Sequence, residues 1–307
     1  MSTTGSVQTI TPSQMKELGS AAQQAIPTSL PFVAAGYWER NKSEFIRKVG
    51  ELLMSAPGVT SGSPLLAKIF ADCQWALRRK FGRRCPQVDP LPASVTEEVV
   101  ARLAARLARY NMRLVFLPGL EIAEDLKLRK LRNWVMPPPR FYQWMRDDKI
   151  AKDAATLRRG WYAADFTLGV DYTDGSQMMS DPWVPLIMRL REEGRVGKHD
   201  KTPAGSRFSI MPQDEWETLL TSMASFGELQ FPRANVRLER YIEFNAIGNL
   251  YDPNRGKFNM WEWFADQFGD SSRLLGGSRG FGGLAHVYYH WHDNRHGLVA
   301  ARPLVVL

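Results

Sequence analysis

The sequence predicts an α+β fold in two parts, a mainly helical basic region over residues 1–150 and a second domain over residues 151–307. Residues 1–150 hold 22 Lys and Arg against 13 Asp and Glu, whereas residues 151–307 hold 18 against 19. The whole excess of positive charge therefore lies in the first part, which indicates two parts with different roles. Helical periodicity dominates the first part, and short apolar runs between Gly, Asp, Asn and Pro residues are typical of the second.

Amphipathic helices and one strand are expected in the first part. Apolar residues recur at helical intervals within residues 31–54, 65–80 and 94–110, as one buried helix face requires. The apolar run 114–117 predicts a strand. A basic stripe, with the cluster 78–84, predicts a solvated face, a nucleic-acid contact or a docking site for an acidic protein. The stripe consists of Arg102, Arg106, Arg109 and Arg113.

The second part is expected to contain helices at 183–193 and 212–226 and strands near the end of the chain. Trp261 and Trp263 lie two positions apart, which predicts that both rings share one face of a strand. The run 304–307 has no polar alternation. We therefore expect a closing strand over 299–307 that is buried on both faces in a central sheet position.

The composition excludes several classes of protein. Of the 307 residues, 44% are hydrophobic and 23% are charged, which is typical of globular proteins and excludes wholesale disorder. No run of about 18 apolar residues is present, so no membrane span is expected. The N-terminus lacks a basic segment followed by an apolar core. This predicts a cytoplasmic location, with a phage particle as the alternative.

Four motifs follow one another in residues 160–307. They are the segment 207–217 (RFSIMPQDEWE), Asn245-Ala246-Ile247-Gly248-Asn249, Trp261-Glu262-Trp263 and the segment 273–278 (RLLGGS). This order resembles the C-terminal half of the C-type-lectin fold in the formylglycine-generating-enzyme family, where R-L-P-T-E-A-E-W-E, a G-N turn, W-E-W and R-G-G-S occur in turn. The resemblance implies a C-type-lectin-like second domain in which residues 245–249 form a turn.

Two departures from this family argue against its known chemistry. Its enzymes need a cysteine pair near the C-terminus, but the two cysteines of this chain, Cys73 and Cys85, lie in the first part. The related iron-dependent sulfoxide synthases hold their ligand helix in an N-terminal bundle, whereas residues 1–198 contain no His. We therefore predict a binding protein without enzymatic activity, cofactor or bound metal.

Residues 279–296 resemble the diversified segment of a second group with this fold, the variable proteins of diversity-generating retroelements. In those proteins, miscopied template adenines produce a restricted set of side chains rich in Tyr, His, Asp, Asn, Ser, Arg and Gly. Four of the five His of this chain lie in residues 286–296. The resemblance implies a surface that binds a protein or other surface ligand, formed by Arg279, Phe281, His286, Tyr288, Tyr289, His290, His292, Asp293, Asn294, Arg295 and His296. The implied scaffold is Trp261, Trp263, Gly276, Gly277, Trp291 and Arg302.

Three alternatives stay open for the second part. The histidines of 286–296 could chelate a transition metal, as in a metal-dependent oxidase or synthase of the formylglycine-generating-like group. The segment could also be an ordinary polar surface with half-packed rings. Carboxylates between 165 and 181 could bind calcium, although their spacing matches no EF-hand loop and favours turn formation. They are Asp165, Asp171, Asp174 and Asp181.

Overall fold

The computed structural model describes residues 64–91, 97–126, 131–171, 177–227 and 229–307. All of them belong to one compact unit, Gly62–Leu307. The predicted helix over 31–54 lies outside the described residues. Helices and strands of this unit confirm the α+β class.

The described residues form helices where the apolar periodicity predicts them, with two more that the sequence analysis did not predict. The helices predicted at 65–80, 94–110, 183–193 and 212–226 are α1, α2, α4 and α5, and α3 and α6 are the additional ones. The helices are α1 (Pro64–Phe81), α2 (Glu97–Arg109), α3 (Pro139–Arg146), α4 (Val184–Glu192), α5 (Glu215–Ala224) and α6 (Tyr241–Leu250).

Ten strands in the described residues form two four-stranded sheets and one short antiparallel pair. The first sheet has the order β1-β4-β10-β5, the second has the order β8-β7-β6-β9, and β2 pairs with β3. The strands are β1 (Met112–Leu117), β2 (Leu120–Glu121), β3 (Thr156–Leu157), β4 (Gly160–Asp165), β5 (Val236–Leu238), β6 (Trp261–Phe268), β7 (Ser272–Gly276), β8 (Val287–Trp291), β9 (Val299–Ala301) and β10 (Pro303–Val306).

The first sheet joins residues from both sides of position 150. Strand β1, which confirms the strand predicted near 114–117, pairs antiparallel with β4, from Met112 opposite Asp165 to Leu117 opposite Gly160. The last strand, β10, lies between β4 and β5. Leu304 and Val305 are buried there, which confirms the central position predicted for the end of the chain.

The closing strand predicted over 299–307 is divided in two. Strand β9 pairs parallel with β6 in the second sheet, whereas β10 pairs with β4 and β5 in the first. Arg302 stands between the two strands and is buried, with its Nε 2.8 Å from Glu262 Oε2. The chain therefore passes from the second sheet to the first at Arg302, whose buried charge is paired with Glu262.

The turn predicted over residues 245–249 is wrong, because this segment lies inside helix α6. Every residue of α6 is buried. Asn245 accepts a hydrogen bond from Trp134 Nε1 at 2.9 Å, and its amide donates to the carbonyl oxygen of Val135 at 2.8 Å. Asn249 Oδ1 accepts from the backbone N–H of Val135 at 2.8 Å. These distant partners satisfy the two amides and allow a polar sequence to form a buried helix.

Candidate ligand-binding surface

Three buried arginines hold the strands beneath the C-terminal segment. Arg207 contacts Asp165 (Nη1 to Oδ2, 2.6 Å) and Asp181 (Nε to Oδ2, 2.7 Å). Arg255 pairs with Glu239 and Asp252, and Arg302 pairs with Glu262. We call Arg207, Arg255 and Arg302 with these carboxylates the arginine network. A charged group is retained in a protein interior when such partners compensate its lost hydration.

The arginine network bears on the calcium alternative. Burial alone would raise the pKa of Asp165, but Arg207 and Arg302 more than offset it and hold this pKa below its ordinary value. The guanidinium of Arg207 thus takes the place beside Asp165 and Asp181 that a calcium ion would need. Asp171 instead accepts a hydrogen bond from the backbone N–H of Asn259 at 2.8 Å, and Asp174 lies outside the described residues.

Large apolar side chains are exposed on β8 and on the segments that flank it. Phe281 is 64% exposed and Trp291 is 63% exposed. Of the ten large hydrophobic side chains that are exposed in the described residues, five lie within residues 281–298. They are Phe281, Tyr288, Tyr289, Trp291 and Leu298, and we call them the exposed apolar surface. Such clustering is typical of an interaction site, whereas single exposed hydrophobic residues are ordinary.

A pocket of about 380 Å³ opens within this surface. Tyr288 and His290 lie two positions apart on β8, so they share one face of the second sheet, where Leu275 is paired with Tyr288. The pocket extends across the sheet to β6 and β9, with side chains from Asn259 and the turn at 281 at its edges. Its lining is Asn259, Trp261, Leu275, Phe281, Tyr288, His290, His296, Leu298 and Val299.

The alternate face of β8 carries an aromatic stack. Tyr289 lies 3.8 Å from the ring centroid of Phe268 at an interplanar angle of 4° and contacts the edge of Trp144 at 5.7 Å. Because Tyr289 and Trp291 are also two positions apart, they project on this same side of the strand. The exposed apolar surface therefore wraps around both faces of β8.

His286 and Trp291 are placed differently from the prediction. His286 is only 2% exposed and packs edge-on against Trp261 at 4.5 Å, which removes it from the surface. Burial, with a smaller contribution from Arg140, lowers the pKa of His286 to about 4. Trp291, predicted as scaffold, is 63% exposed at the end of β8.

Arg295 serves as an internal brace. Its guanidinium contacts both carboxylate oxygens of Glu215 at 2.6 and 2.8 Å and donates to the carbonyl oxygen of Ser209 at 2.7 Å. The neighbouring residues His292, Asp293 and Asn294 form the turn after β8 and are exposed or half-buried. Arg279 is exposed and faces Asp171 at 3.3 Å.

The predicted scaffold glycines are required by close packing. A Cβ on Gly276 would lie 2.1 Å from the carbonyl oxygen of His286, since β7 and β8 meet there. Gly277 has a φ of +88°, and a Cβ there would lie 2.9 Å from the ring of Phe244. Trp263 is almost fully buried, and Trp261 is half-buried and lines the pocket. These positions fix the frame on which the exposed side chains stand.

The histidines do not gather into a metal site. His290 and His296 lie 4.3 Å apart between ring centroids, and burial, followed by the charge of His290, lowers the pKa of His296. Among the described residues, no three His, Cys, Asp or Glu side chains converge in a way that could hold a metal ion. His286 is separated from this pair because its ring packs between Trp261 and Phe281.

Four residues that line the pocket were not predicted as site residues: Asn259, Leu275, Leu298 and Val299, the last of which was expected only in the closing strand. Leu275 lies within the Arg-Leu-Leu-Gly-Gly-Ser motif, where an apolar residue indicates only a buried strand. Leu298 could have been predicted from the sequence. It follows Gly297 in a segment rich in His and Tyr, where no apolar pattern indicates a buried core position. Asn259 depends on tertiary contacts, and its Oδ1 accepts from Ser278 Oγ at 2.8 Å.

No protein-family model matches this chain, and neither a curated protein nor a solved structure matches it. Within the described ranges, no helix has both the length and the apolar character needed to cross a membrane. The assignment of the surface therefore depends on the residues themselves.

Proposed function

We propose that the protein binds a ligand or receptor through the exposed apolar surface and its pocket, on a C-type-lectin-like domain. The observation that carries this proposal is the clustering of exposed large apolar side chains in residues 281–298. Tyr and Trp rings provide large contact areas at a small cost in side-chain entropy, and His and Asn provide adaptable hydrogen bonds. The partner is thus bound by the pocket and the rings around it.

We further propose that this surface is diversified, as in the variable proteins of diversity-generating retroelements. Strand β8 supports this proposal because one buried residue at its start is followed by positions that are exposed or half-buried. Val287 is buried, whereas Tyr288, Tyr289 and Trp291 are exposed. Exposed positions tolerate a change of side chain, while Gly276 and Gly277 allow no Cβ without displacement of a neighbour. Diversification at the first set would therefore alter recognition and leave the fold intact.

Copies of the gene from related genomes test this proposal. We expect a neighbouring reverse transcriptase gene and a near-copy of the segment that encodes residues 279–296, which differs only at template adenines. The encoded changes should fall on Tyr288, Tyr289, His290 and His292 and spare Gly276. Substitutions spread evenly over residues 160–307, or a locus without the near-copy, would refute diversification.

Binding itself is tested with an environment-sensitive dye, 8-anilinonaphthalene-1-sulfonate, as a probe of the apolar pocket. We expect the folded protein to enhance its fluorescence, and Phe281→Ser and Leu298→Ser to reduce this enhancement. Leu65→Ser is the matched control, since Leu65 is also exposed but lies on α1. Equal reduction by the control would contradict a ligand-binding role for this pocket.

A further inference from the structure

A second pocket, of about 680 Å³, lies on the other side of the turn 279–285. It is formed by the end of α1, residues 132–135, the end of α6 and residues 253–257. Its described lining contains no Asp or Glu. The basic residues that line it are Arg79, Lys80, Arg132, Arg255, Lys257 and Arg279, and we call it the basic pocket.

Three of these cations have structural partners. Arg255 is committed to Glu239, Asp252 and the carbonyl oxygen of Asp165. Arg79 Nη2 donates to the carbonyl oxygen of Leu250 at 2.9 Å, and Lys80 Nζ donates to that of Asn133 at 2.8 Å. Carbonyl oxygens carry no net charge, so Arg79 and Lys80 still contribute positive charge to the pocket.

The other three cations are available to an anion. Arg132 and Lys257 are exposed, and no ion pair joins either of them to a carboxylate in the described part of the chain. The pair of Arg279 with Asp171 spans 3.3 Å between side chains that are 60% and 55% exposed. Exposed pairs of this kind contribute little, so an incoming anion can replace Asp171.

The position of Lys80 adds to the local excess of charge. Its side chain is buried at the wall of the pocket, and burial, then the charge of Arg79, lowers its pKa. A bound anion would offset both effects, because it replaces the lost hydration and the repulsion with attraction.

The walls also provide close backbone contact and an apolar side. A Cβ on Gly283 would lie 2.4 Å from the carbonyl oxygen of Gly256, so the two backbone segments touch at the floor. Val135 and Leu284 line the same cavity. Its volume lies within the range of small-molecule sites, and cations beside apolar side chains suit a phosphate attached to an organic group.

We propose that the basic pocket binds the phosphate groups of a ligand of nucleotide size. Arg132, Lys257 and Arg279 contact the phosphate oxygens, and Val135 and Leu284 contact the organic part. Such phosphates occur in free nucleotides and in nucleic-acid chains, and both sources present the same group to the cations.

Isothermal titration of the full chain with ATP, inorganic pyrophosphate and a short single-stranded oligothymidylate tests the proposal. We expect ATP and pyrophosphate to bind, and Arg132→Glu and Lys257→Glu each to weaken binding about tenfold or more. The matched control is Lys198→Glu, an exposed lysine outside the pocket with the same change in charge. The midpoint of thermal unfolding should be unchanged in all three variants.

The outcomes separate the sources and can overturn the proposal. ATP that binds at least as tightly as the oligonucleotide identifies a free nucleotide. Tighter, salt-sensitive binding of the oligonucleotide that both pocket variants abolish identifies a nucleic-acid chain. No binding of any probe, or equal weakening by Lys198→Glu and the pocket variants, would overturn phosphate recognition at this site.

Discussion

The arginine network and the exposed apolar surface reverse the usual distribution of side chains. Guanidinium groups of Arg207, Arg255 and Arg302 are buried, whereas Phe281 and Trp291 project into solvent. Charged groups are almost never fully buried unless they are paired, and every one of these arginines has carboxylate partners. Specific ion pairs stabilise the interior, and we expect the exposed aromatic rings to contribute much less to stability.

Removal of one arginine from the network should have the largest effect. Arg207→Met leaves buried Asp181 without its cation and buried Asp165 with only the more distant Arg302, at 3.9 Å, which should lower the free energy of unfolding by about 3–5 kcal/mol. Urea denaturation measures this loss. Arg158→Met is the matched control, because Arg158 is 72% exposed and pairs with Asp153 at 3.4 Å. A loss below about 1 kcal/mol in Arg207→Met would break the proposed division of roles.

The burial of His286 predicts an effect of pH on stability. Its pKa is lowered from 6.5 to about 4 in the folded state, so the unfolded chain takes up a proton first as the pH falls. The contribution of neutral His286 is present above pH 6.5 and is lost as the pH falls toward 4, at a cost on the order of 2–3 kcal/mol.

Unfolding free energies of the wild type and His286→Phe between pH 4 and 7 measure this effect. The phenyl ring retains the contacts with Trp261 and Phe281, and Nδ1 of His286 has no hydrogen-bond partner to lose in the described residues. The variant should therefore show a shallower dependence on pH. An unchanged slope would show that His286 is not the titrating group.

A substitution of Arg295 tests whether this residue stabilises the fold, as the arginine network does, or lies at the surface without a structural role. Arg295→Ala should lower the free energy of unfolding by about 1–2 kcal/mol, because Glu215 loses a two-point, partly buried partner. His292→Ala, in the same turn, is the control and should be nearly neutral. Equal, near-neutral values for the two variants would show that Arg295 does not brace the fold through Glu215.

The smallest change in stability is expected for the exposed apolar surface. Trp291→Ser should alter the free energy of unfolding by no more than about 0.5 kcal/mol, since the ring is 63% exposed. Trp263→Ser makes the same chemical change at a buried position and should cost about 3–5 kcal/mol. Thermal unfolding of both variants provides the comparison. A large loss for Trp291→Ser would assign this ring a structural role.

Local pattern was sufficient to predict much of the fold. Apolar spacing predicted α1 and α2, helices were also predicted where α4 and α5 lie, and the unbroken apolar run at 304–307 predicted the buried β10. The segment 245–249 was predicted wrongly because its helix depends on Trp134 and Val135, which are more than 100 positions away in the chain. Such partners leave no trace in a local window.

Residue types also predicted the region of the candidate surface better than the role of each side chain. The His- and Tyr-rich composition pointed to residues 279–296, and four of the five residues of the exposed apolar surface lie there. The burial of His286 and the exposure of Trp291 depend on where β8 begins and ends and on what packs there, which a mixed segment of aromatic and polar residues does not define. The pairing of Arg207 with Asp165 and Asp181 likewise needed the tertiary fold.

The order of β8, β9 and β10 along the chain has a consequence for truncated forms of the protein. Strand β10 is central in the first sheet and follows residues 279–298 in the sequence. A nonsense codon or frameshift within residues 279–298 therefore removes β9 and β10 together, and the first sheet loses an interior member. We expect such truncated products to be degraded by proteases, so β9 and β10 make the stable fold conditional on translation through residues 279–298.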